Sequence, residues 1–247
     1  MKKLISVLCL LAMFAAALLP AQAQAEQIRV GALTGPTAMG MVELLGNDAC
    51  APSIFGSADE LTPLILKGEV DLAAVPANLA ATLYNKTEGG VTALAVNVLG
   101  VLYICAYQMP EIASLEDLRG QTLYATGKGA TPEYFLRYVL TRNGLDPDRD
   151  LTIEWKSEPG EVVALLNARQ SGIAMLPQPY VTAAAAQLGE GFRSALSVSQ
   201  EWERLEDGTR CTTAVVIGRT EYIRQHPAEV EAFLEQLSAS VAWVNEN

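Results

Sequence analysis

Leu64 to Ala81 reads LILKGEVDLAAVPANLAA: the end of a helix, a glycine turn, a buried strand, then a Pro-Ala-Asn break into a second helix. Leu165 to Thr182, LLNARQSGIAMLPQPYVT, repeats that plan. It sets Leu64 over Leu165, Asp71 over Gly172, Leu72-Ala73-Ala74-Val75 over Ile173-Ala174-Met175-Leu176, and Pro76 over Pro177. A second pair repeats as well. Ile28 to Met39 (IRVGALTGPTAM) and Thr122 to Glu133 (TLYATGKGATPE) each give a short apolar strand, a glycine bend with Thr and Pro, and a helix start. Two such halves in one chain predict two similar α/β lobes. Ligands of open α/β sheets bind beyond the carboxyl ends of the strands, so the four loops that follow these strands form the candidate site.

Outward from this core, the amino terminus carries Lys2-Lys3, an apolar run from Leu4 to Leu19, Pro20 and the small-residue pattern Ala23-Gln24-Ala25. That is the form of a secretory signal peptide cleaved after Ala25, since the run is short for a membrane span of roughly 20 residues. Cys9 lies inside the run and not at the cleavage point, which argues against a lipoprotein signal. Cleavage removes two lysines and no acid, taking the net charge from −11 to −13. So acidic a chain is not expected to bind nucleic acid or an anionic membrane surface. Cys50, Cys105 and Cys211 remain, an odd set without metal spacing, expected as small buried residues with at most one bridge.

The first loop, Thr34-Gly35-Pro36-Thr37, precedes an expected apolar helix through Met39, Met41, Val42 and Leu45. Such a bend aims backbone N–H groups at the cleft, a natural place for an anion or carbonyl. Ser57 and Glu60 read as a capping box for a helix from Ala58 to Lys67 that Gly68 ends. Asn78, in the Pro76-Ala77-Asn78 loop, either reads a polar ligand or caps the helix that follows it. In the second half, Thr126-Gly127-Lys128-Gly129-Ala130-Thr131-Pro132 is neither a Walker loop nor a dinucleotide fingerprint. It offers close backbone approach, hydroxyls and one ammonium, suiting a compact oxyanion. Glu133 in the first helical turn would repel an anion and is assigned to stability. In Pro177-Gln178-Pro179-Tyr180, Gln178 and Tyr180 are placed to close on a ligand, with helix packing the alternative for Tyr180. No cofactor signature is present.

Val91 to Tyr107 is too long and β-branched for one helix, and Asn97 and Gly100 punctuate it. It reads as a strand followed by a segment crossing into the second lobe, with Asn97 and Tyr103 near the hinge. Arg210 to Arg219 is the expected return crossing, and Pro227 opens a long helix to Asn245. His226, before that proline, reads as a surface residue. The expected division is 1–25 signal peptide, 26–99 first part of lobe 1, 100–211 lobe 2, and 212–247 return to lobe 1.

The runs GALTGPTAMGMVELL, LKGEVDLAAVPANLAATLYNK, NVLGVLYI, SLEDLRGQTLYATGKGATPEYFLRYVLTRNGLDP and MLPQPYVTAA resemble the substrate-binding proteins of ABC importers in the nitrate, sulfonate, taurine and thiamine-pyrimidine class. The resemblance implies the type II periplasmic-binding-protein fold, two α/β lobes joined by two crossing strands. It implies a monomer that closes over one small solute and passes it to an ABC permease in the membrane. Its ligand-facing loops fall on Gly35 to Met39, Pro76 to Asn78, Thr126 to Thr131 and Pro177 to Tyr180. The candidates are therefore Gly35, Pro36, Thr37, Met39, Asn78, Thr126, Lys128, Gly129, Thr131, Gln178 and Tyr180. The solute suggested by these loops is anionic or heteroaromatic, the latter if Tyr103, Tyr124, Tyr134 or Tyr180 stacks a flat ring. The alternatives are a lyase on this fold, resembling chorismate dehydratases, with only Lys128 and Glu133 as acid or base, and an extracellular sensor domain. Relatives usually continue for several more helices, so apolar surface on lobe 1 is expected to lie bare beside Asn247.

Overall fold

The computed structural model describes residues 27–47, 50–205 and 209–247. The expected signal peptide and its cleavage point lie outside the described residues. Two five-stranded sheets form the frame. Sheet 1 holds β1 (Val30–Leu33), β2 (Ser53–Phe55), β3 (Leu72–Pro76), β4 (Val91–Leu99) and β10 (Thr212–Arg219), in the order β2-β1-β3-β10-β4. Sheet 2 holds β5 (Leu102–Tyr107), β6 (Thr122–Thr126), β7 (Thr152–Lys156), β8 (Gly172–Pro177) and β9 (Phe192–Ser197), in the order β7-β6-β8-β5-β9. In each sheet three parallel strands are followed by one antiparallel strand and an edge strand.

The antiparallel strand of each sheet comes from chain that has just left the other. The edge strand β4 runs through Gly100-Val101 into β5, and the chain beyond β9 returns as β10. Ala214 of β10 pairs with Pro76, and Leu102 of β5 pairs with Pro177. The two proline-ended strands of the sequence repeat are thus the partners of the two crossing strands.

Helices cover both faces of each sheet: α1 (Pro36–Met39), α2 (Ala58–Lys67), α3 (Ala77–Lys86), α8 (Thr220–Gln225) and α9 (Pro227–Glu246) on sheet 1, and α4 (Thr131–Arg142), α5 (Pro159–Arg169), α6 (Tyr180–Leu188) and α7 (Val198–Leu205) on sheet 2. Alternate residues of one strand enter opposite cores: Leu72 and Ala74 pack with Met41 and Phe233, Ala73 and Val75 with Leu61 and Leu83. In sheet 2, Ile173 and Met175 face Leu136 while Ala174 and Leu176 face Leu166. Because both faces are buried, these strands read as unbroken apolar runs. Ser57 caps α2 by accepting the Glu60 N–H, and Gly68 ends it at φ 75°. The Glu60 carboxylate accepts from Gly56, one residue earlier than a full capping box requires.

One expectation needs correction. The helix expected from Met39 to Leu45 is a single α turn and a separate 3-10 turn, Val42–Gly46. Between them Gly40 lets Asn97 come so close that a Cβ there would lie 2.5 Å from its Oδ1. Residues 192–205, which carry no continuous apolar run, form β9 and α7. Cys50, Cys105 and Cys211 are all free and buried, so none forms the bridge that their number allowed. Burial pushes the Cys105 and Cys211 thiols up to about 12.

At the amino end of β3, Asp71 is 2% exposed and accepts from Arg29 Nε (2.8 Å) and from an Arg219 guanidinium nitrogen (2.7 Å). Burial alone would raise its carboxyl, but the hydrogen bonds from Arg29 and Arg219 hold it below the ordinary range.

Candidate functional site

The strand ends named by the repeat converge. Leu33 ends β1, Pro76 ends β3, Thr126 ends β6 and Pro177 ends β8, and all four line one cavity of about 160 Å³ between the sheets. The crossing strands supply the rest of its floor through Val101, Leu102, Thr213 and Ala214.

The first loop is set by Gly35, at φ 90° and ψ −144°, a conformation reserved for glycine. No atom crowds a Cβ built there, so the backbone and not space demands the residue. Thr34 donates both its N–H (3.0 Å) and its hydroxyl (2.8 Å) to Phe55 O. Thr37 is buried and its hydroxyl donates to Leu33 O. Asn97 on β4 donates to Thr37 O at 2.7 Å, so α1 is fastened to its own sheet. Thr34, Pro36 and Thr37 line the cavity. Met39 faces away, into a larger cavity of about 340 Å³ shared with Val241 and Val244 of α9. Apart from Val101 at the crossing, that larger space is walled by the first lobe and α9, so it does not span the two sheets.

The glycine loop of the second half has Gly127 at φ 83° and Gly129 at φ 75°. A Cβ on Gly127 would lie 2.8 Å from Pro132, which is why the loop folds back onto its helix only with glycine there. Thr126, Thr131 and Pro132 line the cavity, while Lys128 is exposed and outside its wall. Glu133 turns back to accept the Gly129 N–H (2.6 Å) and also takes Arg137 Nε (2.9 Å). Burial would raise its carboxyl, but the Gly129 N–H and Arg137 outweigh this and lower it. Glu133 thus holds the loop's shape.

The Asn78 side chain does not cap its own helix, which starts after Pro76 without a side-chain cap. Its Oδ1 accepts from Thr131 N (3.1 Å) and Thr131 Oγ1 (2.8 Å), and its Nδ2 reaches Gly129 O at 3.4 Å. A side chain of α3 in the first lobe therefore caps α4 in the second. Gln178 accepts from Thr182 Oγ1 (3.1 Å) at the start of α6, and its N–H donates to Val101 O (2.9 Å). Tyr180 is half-buried at the head of α6; neither it nor the Gln178 side chain lines the cavity.

Of the eleven candidates, Pro36, Thr37, Thr126 and Thr131 reach the cavity, Asn78 and Gly129 join across the gap beside it, and Gly35 shapes the first bend. Met39, Lys128, Gln178 and Tyr180 lie elsewhere. Sequence reasoning passed over Val101, Leu102, Thr213 and Ala214. The signal for them was present, since strands that cross between lobes must border the gap. Gly100 and Val101 are consecutive left-handed residues, φ 71° and 73°. Gly100 N–H donates to Cys211 O (2.7 Å) and Thr213 Oγ1 donates to Gly100 O (2.6 Å), tying the two crossings together. Among the described residues there is no cluster of His, Cys, Asp or Glu able to hold a metal, and no helix long and apolar enough to cross a membrane.

A family model described as NMT1-like family matches residues 36–247. No curated protein matches the chain. Among solved structures, an ABC transporter from Parabacteroides distasonis is similar at 24% identity and TM-score 0.68, over 86% of this chain and 71% of that one. The periplasmic aliphatic sulphonate binding protein SsuA from Escherichia coli is similar at 17% identity and TM-score 0.67, over 89% and 74%. The periplasmic nitrate-binding protein NrtA from Synechocystis PCC 6803 is similar at 15% identity and TM-score 0.62, over 87% and 61%. At such identities the likeness speaks to fold: two α/β lobes joined by crossing strands, the type II periplasmic-binding-protein architecture.

Proposed function

We propose that this chain, which belongs to the NMT1-like family, is the extracytoplasmic solute-binding component of an ABC importer, working as a monomer outside the cytoplasmic membrane and delivering its solute to a membrane permease. The observation that carries the reading is the single cavity into which four strand ends from two sheets converge, with both crossing strands in its wall. A binding protein needs such a site and little more: contacts on both sides of a gap, and a hinge between them. Solute contacts with both lobes supply the free energy of closure, because only the closed state makes both sets at once. Pro36, Thr37, Thr126 and Thr131 are the proposed solute contacts, with Gly35 and Gly129 shaping the loops. Asn78 acts across the gap, and Gly100-Val101 serves as one of the two hinge segments.

The test is a thermal-shift survey of the purified protein against a broad panel of small solutes. A true ligand at about 100 times its dissociation constant adds about 2.7 kcal/mol to the unfolding free energy. A panel without any shift removes the solute-binding reading.

A further inference from the structure

The chemistry of the cavity wall narrows the solute, on the premise that this cavity is where the solute binds. We infer that the ligand is a small uncharged molecule that donates hydrogen bonds from one end and presents hydrocarbon at the other, not the anion that the glycine loops suggest. Among the described residues, no Lys, Arg, His, Asp or Glu lines the cavity. Its polar wall is five threonines. Four have their hydroxyl hydrogens engaged: Thr34 with Phe55 O, Thr37 with Leu33 O, Thr131 with Asn78 Oδ1, and Thr213 with Gly100 O. What they have left to present to the cavity is oxygen lone pairs, and Thr131 Oγ1 already accepts the Asn78 N–H at 3.4 Å with one of its own. Thr126, only 8% exposed, has no partner for its hydroxyl among the described residues, leaving one group free to donate or accept.

Two of the backbone donors that an anion would use at the second glycine loop are already engaged. The Gly129 N–H is held by Glu133 and the Thr131 N–H by Asn78. Pro36 and Pro132, near the starts of α1 and α4, have no N–H to offer. Lys128 is exposed and is not part of the wall. A sulfonate or carboxylate moved here would lose its water for a wall of lone pairs, one free hydroxyl and the Thr37 N–H, with no cation in the lining to offset its charge. The net charge of −11 opposes it further. A donor-bearing neutral molecule finds acceptors at the threonines and apolar surface at Leu33, Val101 and the prolines. The volume of about 160 Å³ is close to that of an engineered cavity of about 150 Å³ known to hold benzene, which sets the scale at about six to eight heavy atoms. Small alcohols, diols and primary amides fit this description. None of Tyr103, Tyr124, Tyr134 and Tyr180 lines the cavity, so it offers no tyrosine ring for stacking.

The experiment pairs isosteres that differ in charge: butyramide with butyrate, and methanesulfonamide with methanesulfonate, titrated calorimetrically into the purified protein at low and high salt. The expected result is binding of the neutral member at least tenfold tighter than its anion, unaffected by salt. Thr126→Val, which keeps the shape and removes the free hydroxyl, weakens the neutral probe about tenfold while Thr126→Ser restores it. Anions binding equally or better, with affinity falling as salt rises, overturn the inference and leave solute binding standing. An unchanged affinity in Thr126→Val overturns the placement of the donor at this wall. Silence from all four probes and from the broad panel removes the solute site itself, and the inference with it.

Discussion

The edge of each sheet that faces away from the cavity is built differently in the two lobes, while the edges that face it are built alike. In the sequence repeat Asp71 lies over Gly172, just before or at the start of β3 and β8. Asp71 gathers Arg29 and Arg219 at one end of sheet 1. Gly172, at φ 150°, has no side chain, and a Cβ there would lie 2.8 Å from Leu166 and 3.4 Å from Tyr124. At the opposite ends the two halves agree: Pro76 and Pro177 each stop a strand, pair with a crossing strand, and face the cavity. One half is fastened at its base by charge and the other by close packing. The alignment of four strand ends on a single gap survives either way, because it depends on strand order and the crossings.

The largest way to break that comparison is Asp71→Asn, which keeps the shape and leaves two guanidinium groups without their carboxylate. A loss of about 3 kcal/mol is expected by chemical denaturation. The pH dependence carries the sign. The folded carboxyl lies below its unfolded value of about 3.9, so its contribution is complete above that pH and is lost as pH falls through the lower folded value. The parent protein should therefore weaken on acidification below about pH 4 more steeply than Asp71→Asn. Identical acid profiles would assign the effect to other lowered carboxyls, such as Glu133 and Asp117. Gly172→Ala is next, at about 2 kcal/mol, because the new methyl group must displace the fully buried Leu166 from a packed face. It should move the urea midpoint without changing the slope.

The same contrast explains what could be read in advance. Strands β3 and β8 were legible because burial on both faces leaves a continuous apolar run, and Pro76 and Pro177 mark where each stops. Strand β9 was not, since an edge strand carrying Arg193, Ser194 and Ser197 has no such run. The four loops were legible as loops, from glycine and proline chemistry that acts within a few residues. What their side chains do was legible only in part. Thr37 and Thr131 serve the local geometry and also face the cavity, so local reasoning found them. Gln178 looked aimed at a ligand because it follows the strand end, yet its amide turns along the chain to Thr182. Asn78 is governed by a partner loop at 129–131, and no local pattern encodes a contact of that span.

Two asparagines sharpen the comparison at the cleft itself. Asn97 fastens the first lobe's loop to its own sheet, and Asn78 fastens the second lobe's loop to the first lobe. Asn97→Ala should cost about 1 kcal/mol. It strips the donor from the Thr37 carbonyl, but it also removes a buried Oδ1 that has no partner, and the two effects oppose one another. Asn78→Ala should cost less, under about 1 kcal/mol, because its bonds lie in a partly exposed gap where water replaces them. Its consequence is in shape. Without Asn78 the amino end of α4 is open to water and the lobes lose a set of hydrogen bonds that exists only when they are together. The ligand-free radius of gyration from small-angle scattering should rise, and amide exchange at Thr131 should speed up while Ala38 and Met41 around α1 stay as they were. Asn97→Ala should show the reverse exchange pattern at an unchanged radius. Equal radii and equal Thr131 exchange in the parent and Asn78→Ala would mean that the two lobes are held together by the crossing strands alone, and that the cross-gap bonds form without restraining them.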